Sequence, residues 1–244
     1  MRELIAELEA RAPALVERVF REMYANPFWD ERFGERGREF ARQDGHYHIS
    51  HLVAALRFEQ LLLITHYSRW LQVTLTNRGM CSRHIAENFS RLARAIGEEL
   101  PGDTEPAIAY LRAAEEALVY DDGPARLLQL EAERLADHSV AVLYQRHPDW
   151  LEQGGERARL RCRDDFLYHL SYLADAIANE KPQHFVDYLA WIKDFLARHG
   201  VPEAHLRESL LVLEESLDSI DPAARRTVRA VCAAARASIW EGRA

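Results

Sequence analysis

Asp44-Gly-His-Tyr-His48-Ile-Ser-His-Leu52 and Asp165-Phe-Leu-Tyr-His169-Leu-Ser-Tyr-Leu173 carry one pattern twice, 121 positions apart. The same offset aligns the chain with itself, without a gap, from about Val19 to Ala114. Upstream it pairs Pro27 with Pro148, Trp29 with Trp150, Gly34-Glu35-Arg36 with Gly155-Glu156-Arg157, Arg38 with Arg159 and Arg42 with Arg163. Downstream it pairs Tyr67 with Tyr188, Trp70 with Trp191, Gly79 with Gly200, His84 with His205, Glu87 with Glu208 and Pro101 with Pro222. About a quarter of the aligned positions are identical, where ordinary residue usage gives roughly one in sixteen by chance. The chain is therefore read as a tandem duplication, with unit 1 at residues 1–121 and unit 2 at 122–244.

Around these segments apolar residues recur at i, i+3, i+4 and i+7, and no stretch alternates as a strand would. Asn26-Pro27, Gly79, Pro101-Gly102, Gly123-Pro124, His147-Pro148, Gly200 to Pro202 and Asp221-Pro222 punctuate the periodic runs. The expectation is an all-α fold of two tandem, pseudo-symmetric units. Their helices fall near 2–25, 34–58, 61–78, 82–98 and 104–120, then 125–146, 153–179, 183–199, 203–218 and 222–240. Asp221 before Pro222 has the chemistry of a helix N-cap.

Composition narrows the classes of function. Of 244 residues, 48% are hydrophobic, and 31 Lys and Arg face 39 Asp and Glu for a formal net charge of −8. That balance speaks against a nucleic-acid partner, because it repels phosphate. No apolar run approaches the length needed to span a bilayer, and the first residues read as an amphipathic helix, so no membrane partner is expected. Cys81, Cys162 and Cys232 form no spaced framework, which fits a reducing, cytoplasmic setting. Nothing matches a phosphate-binding loop, a nucleophile elbow or a zinc-protease motif.

Polar residues present in both halves are the candidate site. Asp44 and His48, copied as Asp165 and His169, stand at i, i+4, so a carboxylate and an imidazole share one helix face. Such a pair can ligate iron, manganese or zinc; equally, the histidine can be a buried group bonded to Tyr67 or Tyr188. His84 and Glu87, copied as His205 and Glu208, stand at i, i+3. They add two further ligand types, or simply complement the start of a helix. Arg36, Arg38 and Arg42 recur as Arg157, Arg159 and Arg163. They could clamp a ligand's carboxylates or form a solvated face paired with Glu35 and Glu39. Tyr67 with Trp70, and Tyr188 with Trp191, are expected in the core or lining a pocket, and Tyr47 and Tyr168 beside the histidines are also candidates for the core.

Arg161 to Leu173 resembles the bilin-attachment helix of phycobiliproteins, where a Cys-x-x-Asp pair precedes an apolar run. Arg198-His199-Gly200-Val201-Pro202 is similar to the exit of that family's next helix. The resemblance spans about 60 residues of unit 2 and implies a globin-like fold. It would make Cys162 the pigment-bearing thiol and Asp165 the partner of the pyrrole nitrogens. Ala41 stands where unit 2 has Cys162, which excludes covalent attachment in unit 1. A haem would need a proximal histidine; His66 and His184 are candidates but do not occupy matching positions.

Three functions follow as expectations. The first is a non-catalytic small-ligand-binding or sensory protein with a pocket built from Asp44, His48, Cys162, Asp165, His169, Tyr67, Trp70, Tyr188 and Trp191. Its cofactor would be iron or manganese ahead of haem or bilin. The second is an iron- or manganese-dependent oxidoreductase using Asp44, His48, His84, Glu87, Asp165, His169, His205 and Glu208. The third is a helical scaffold for protein partners.

Overall fold

The computed structural model describes residues 1–241. Residues 242–244, the end of the expected second unit, lie outside the described residues, as do the side chains of Leu151, Gln153 and Glu241. Among the described residues the chain is all-helical. In order, the helices are α1 (Arg2–Tyr24), α2 (Pro27–Arg57), α3 (Leu61–Thr76), α4 (Ser82–Glu99) and α5 (Glu105–Glu116), then α6 (Gly123–Arg146), α7 (Pro148–Ala178), α8 (Pro182–Arg198), α9 (Glu203–Ser216) and α10 (Pro222–Arg236). A 3-10 turn at Leu217–Ser219 and a π turn at Ala237–Glu241 complete the path. No helix is long and apolar enough to cross a membrane, among the described residues.

The chain divides into two compact units. One comprises Met1–Thr74 with His84–Leu118, and the other Leu75–Arg83 with Val119–Ala244. The turn between α3 and α4 thus belongs to the second unit, which a cut at residue 121 does not anticipate. In the first unit Leu8, Leu15 and Phe20 of α1 are buried, along with Leu52 and Leu56 of α2, Ile64 of α3, Phe89 and Ile96 of α4 and Leu111 of α5. Side chains of this size each contribute roughly 1.5–3 kcal/mol when removed from water. In the second unit Leu128, Leu135, Phe166, Leu173, Phe185, Leu213 and Val228 join one apolar cluster, and Cys81 from the α3–α4 turn is fully buried in it.

Local backbone chemistry repeats with the sequence. α2 begins about seven and α7 about five residues before the expected start, and they are interrupted at Gly34 (φ 61°, ψ −161°) and Gly155 (φ 63°, ψ −172°). That region of backbone space is open almost only to glycine, which is why both halves carry Gly there. α2 ends with Glu59 at φ 53°, where the Gln60 amide donates to the Ala55 carbonyl (2.9 Å) and the Glu59 amide to the Leu56 carbonyl (3.2 Å). α7 ends the same way, with Glu180 at φ 54° and bonds from Lys181 to Ala176 (2.8 Å) and Glu180 to Ile177 (3.1 Å). These are Schellman caps, with glutamate standing in the left-handed position that glycine usually takes. Gly79 and Gly200 close α3 and α8 with the same pair of bonds. Asp221 caps α10 as expected, accepting from the Ala223 amide at 2.9 Å.

Candidate functional site

His48 on α2 and His169 on α7 are buried, and each meets the tyrosine of the following helix. His48 Nδ1 lies 2.6 Å from Tyr67 Oη, and His169 Nδ1 lies 2.8 Å from Tyr188 Oη. Burial holds both imidazoles neutral: loss of hydration, with the nearby His51 adding to it, pushes His48 down to about 3, and loss of hydration takes His169 to about 4. Burial also raises both phenols above their ordinary range, helped at Tyr67 by the charge of Asp44. A neutral imidazole and an un-ionised phenol satisfy one another across the helix pair, which is how buried polar groups are normally accommodated. Of the two sequence readings of these histidines, the geometry matches the bonded pair.

Asp44 is half-buried and Asp165 reaches solvent, and the charge of each acts on its unit's tyrosine, Tyr67 and Tyr188. Crowding by surrounding protein and then the adjacent Asp164 carboxylate raise the Asp165 carboxyl to about 7. His84 is buried against Trp29 (ring centroids 4.9 Å apart) and Phe28 (5.1 Å), and His205 packs on Trp150 at 3.7 Å. Glu87 pairs with Arg91 four residues on (3.1 Å), while Glu208 lies near Arg146 (3.5 Å) and His147 (3.6 Å). Among the described residues no three His, Cys, Asp or Glu side chains are grouped so that they could hold a metal ion. Of the eight ligands expected from sequence, the four histidines and two glutamates are thus engaged in His–Tyr, His–Trp and Glu–Arg contacts.

The arginine row is paired, in the first unit with acidic residues other than Glu35 and Glu39 and in the second partly with Glu156, the counterpart of Glu35. Arg38 reaches Asp30 (2.6 Å) and lies over the Tyr24 ring, Arg42 reaches Glu17 (3.0 Å) and lies over Phe20, and Arg36 lies over Phe40. In the second unit Arg163 joins Asp137 and Glu133, and Arg159 lies 3.5 Å from Glu156. Phe20 and Tyr24 have Ala141 and Gln145 at their repeat positions, and the second unit has a charged groove of about 280 Å³ lined by Asp137, Glu156, Arg159 and Arg163.

Space beside the histidines is small. In the first unit a cavity of about 10 Å³ is bordered by Ala41, Gly45 and His48, room for about one water. A Cβ on Gly45 would stand 2.9 Å from Val16, so glycine lets α1 and α2 approach there. The repeat partners of Ala41 and Gly45 are Cys162 and the fully buried Phe166. Burial, with the Asp165 charge adding to it, raises the Cys162 thiol to about 12, so it stays protonated and unreactive at neutral pH.

Two expectations about aromatic residues are corrected. Trp70 is 61% exposed and Tyr47 50% exposed, so neither is core; Tyr67 and Tyr188 are buried as expected. Trp70 instead extends an exposed apolar surface that includes Phe58 (66%), Leu61, Leu62 (65%) and Leu63. Leucine, histidine and tryptophan at Leu62, His66 and Trp70 recur every four residues along one side of α3, a helical period that buried helices also show.

A group that repeat matching misses lies in the second unit. Asp175 on α7 is buried and accepts from the Ser82 amide (2.6 Å), the Ser82 hydroxyl and the Tyr120 hydroxyl (2.7 Å). Burial outweighs these three donors and raises its carboxyl to about 6. Around it, the Tyr172 hydroxyl donates to the Gly79 carbonyl (3.0 Å), the Arg83 amide to the Ser171 hydroxyl (3.0 Å) and the Asn179 side chain to Thr76 Oγ1 (3.2 Å). The residues from Thr76 to Arg83 are thereby seated along one side of α7. Comparison with known protein families, with curated proteins and with solved structures finds no match to this chain.

Proposed function

We propose that the chain is a non-catalytic helical protein-interaction module, made of two pseudo-symmetric repeats, whose working surface is the exposed side of α2 and α3 in the first unit. The observation that carries this reading is the contiguous exposed apolar run of Phe58, Leu61, Leu62 and Leu63 with Trp70 one helix face further on. Contiguous exposed apolar patches, unlike scattered single residues, mark surfaces that a partner covers. The repeat positions in the second unit carry none of these large apolar side chains: Asn179, Pro182, Gln183 and His184 stand where Phe58, Leu61, Leu62 and Leu63 do. The apolar run is therefore not a requirement of the helical architecture. The ligand-binding and metal-enzyme readings have less support, because the buried histidines are engaged with tyrosines and the cavity beside His48 is water-sized.

A photocrosslinking amino acid placed at position 62, and separately at its repeat position 183, tests the reading in cell extract. Covalent polypeptide adducts are expected at 62 and not at 183. Native mass spectrometry and metal analysis of freshly purified protein run beside it. A retained small molecule or stoichiometric iron or manganese, with no adduct at 62, would replace the interaction reading by the ligand or metal one.

A further inference from the structure

In the second unit, the α3–α4 turn covers α7 at Tyr168, Ser171, Tyr172, Asp175 and Asn179 through the bonds given above, and Arg83 adds its guanidinium over the Tyr168 ring. Tyr172 and Asp175 are consequently only 3% and 4% exposed. The repeat positions on α2 are Tyr47, Ser50, His51, Ala54 and Phe58, and of these Tyr47, Ser50, His51 and Phe58 are exposed. The repeat of the covering turn is Leu196 to Ala204 between α8 and α9. It has the same backbone: Gly200 is at φ 79° where Gly79 is at 87°, and the Val201 amide donates to Leu196 as the Met80 amide donates to Leu75. Ala197, Gly200, Pro202 and Ala204 in that turn are exposed.

We propose that the exposed α2–α3 surface receives the 196–204 turn of a second copy of this chain, in the way that α7 receives the 75–83 turn. The proposal rests on the interaction reading and names its partner. The side chains on the two surfaces change together. Where α7 offers Asp175 and Asn179 to Ser82 and Thr76, α2 offers Ala54 and Phe58, and the turn brings Glu203 and Ala197. Polar fastening is replaced by contact of Phe58 and Leu62 with Ala197, Val201 and Pro202. Two backbone-reading groups remain: Ser50 can accept from the Ala204 amide as Ser171 accepts from Arg83, and His51 can donate to the Gly200 carbonyl as Tyr172 donates to Gly79. The turn and the surface that receives it are different patches, so the contact is heterologous, and a joined pair of copies keeps one unused face of each kind. Association is then open-ended, and a surface of one turn on one helix pair belongs with weak, transient contacts.

Sedimentation of the full chain from low micromolar to near-millimolar concentration tests this. The average mass is expected to rise past that of a dimer. Phe58→Asn with Leu62→Gln, which installs the residues of the second unit on the surface, is expected to weaken association at least about tenfold, and Ala204→Asp to do the same from the turn. Both variants change exposed positions, and unchanged thermal melts verify that they fold. Mixed together, the two variants should form a one-to-one complex that grows no further, because one retains an intact turn and the other an intact surface. A monomer at every concentration, or variants that fail to complement, overturns the second-copy proposal. If position 62 still crosslinks to another polypeptide in extract, the interaction reading survives that failure; if it does not, both fall.

Discussion

At the scale of single residues, the repeated histidines and the unrepeated aspartate have opposite linkage to pH. His48 and His169 are neutral in the fold down to about 3 and about 4, whereas an unfolded histidine takes a proton below about 6.5. Stability from these groups is present above the unfolded value and falls as the pH drops towards the folded one. Asp175, raised to about 6, works the other way: it binds a proton more readily folded than unfolded, so its contribution grows as the pH falls from about 6 to about 4. Asp175→Asn removes that compensation. Its urea-unfolding free energy is expected to fall between pH 6 and pH 4.5 more steeply than that of the wild type, by about 1 kcal/mol for each pH unit. Equal slopes would show that Asp175 titrates normally. Tyr188→Phe and Tyr67→Phe each leave a buried imidazole nitrogen without its partner and should cost about 1–3 kcal/mol at pH 7. Unchanged unfolding midpoints would mean that the His–Tyr bonds do not form. The histidine–tyrosine pairs were legible in the sequence because both members recur at the same offset. Asp175 was not, since its repeat position is Ala54 and its donors, Ser82 and Tyr120, lie 93 and 55 residues earlier in the chain.

At the scale of elements, helix bodies are set by apolar spacing, while their ends and breaks are set by single backbone positions. Sequence periodicity located each helix, yet it placed the start of α2 at Gly34 and the start of α7 at position 153, just before Gly155. The helices in fact begin at Pro27 and Pro148 and pass through Gly34 and Gly155 with one non-helical residue. Apolar spacing cannot distinguish a helix start from a kink, because both shift the phase of the pattern. Gly34→Ala or Gly155→Ala forces a Cβ into a conformation closed to it, although nothing else stands within 4 Å of either position. The cost is therefore purely conformational, about 1–3 kcal/mol, and a thermal melt should record it. Glu59→Gly and Glu180→Gly relieve a left-handed glutamate and should stabilise by up to about 1 kcal/mol. A loss of stability at these positions would mean that the glutamate side chains contribute more than their backbone strain costs.

At the scale of the whole molecule, duplication of sequence and division into compact units do not coincide. A 121-residue offset places the boundary between halves where the second half begins, because it follows the internal similarity of the sequence alone. Compactness follows burial instead. Cys81, from the middle of the first half, is fully buried in the core of the second unit, and Ser82 supplies two of the three hydrogen bonds to a buried carboxylate there. No residue in the 75–83 turn announces this role, since its repeat, 196–204, is exposed over most of its length. The consequence is specific: residues 122–244 produced alone lack part of their own core. Without the turn, Tyr172 and the apolar neighbours of Cys81 meet water, and because Tyr120 also lies outside this fragment the Asp175 carboxylate loses all three of its donors. The fragment is expected to bind a hydrophobic dye and to melt with a broader and lower transition than the full chain. A second fragment beginning at residue 72, with residues 87–118 replaced by a short flexible linker, returns the turn to its seat and should recover the sharp melt. If the 122–244 fragment already melts as sharply as the full chain and leaves the dye unbound, the duplicated half is itself the folding unit and the turn is an accessory to it.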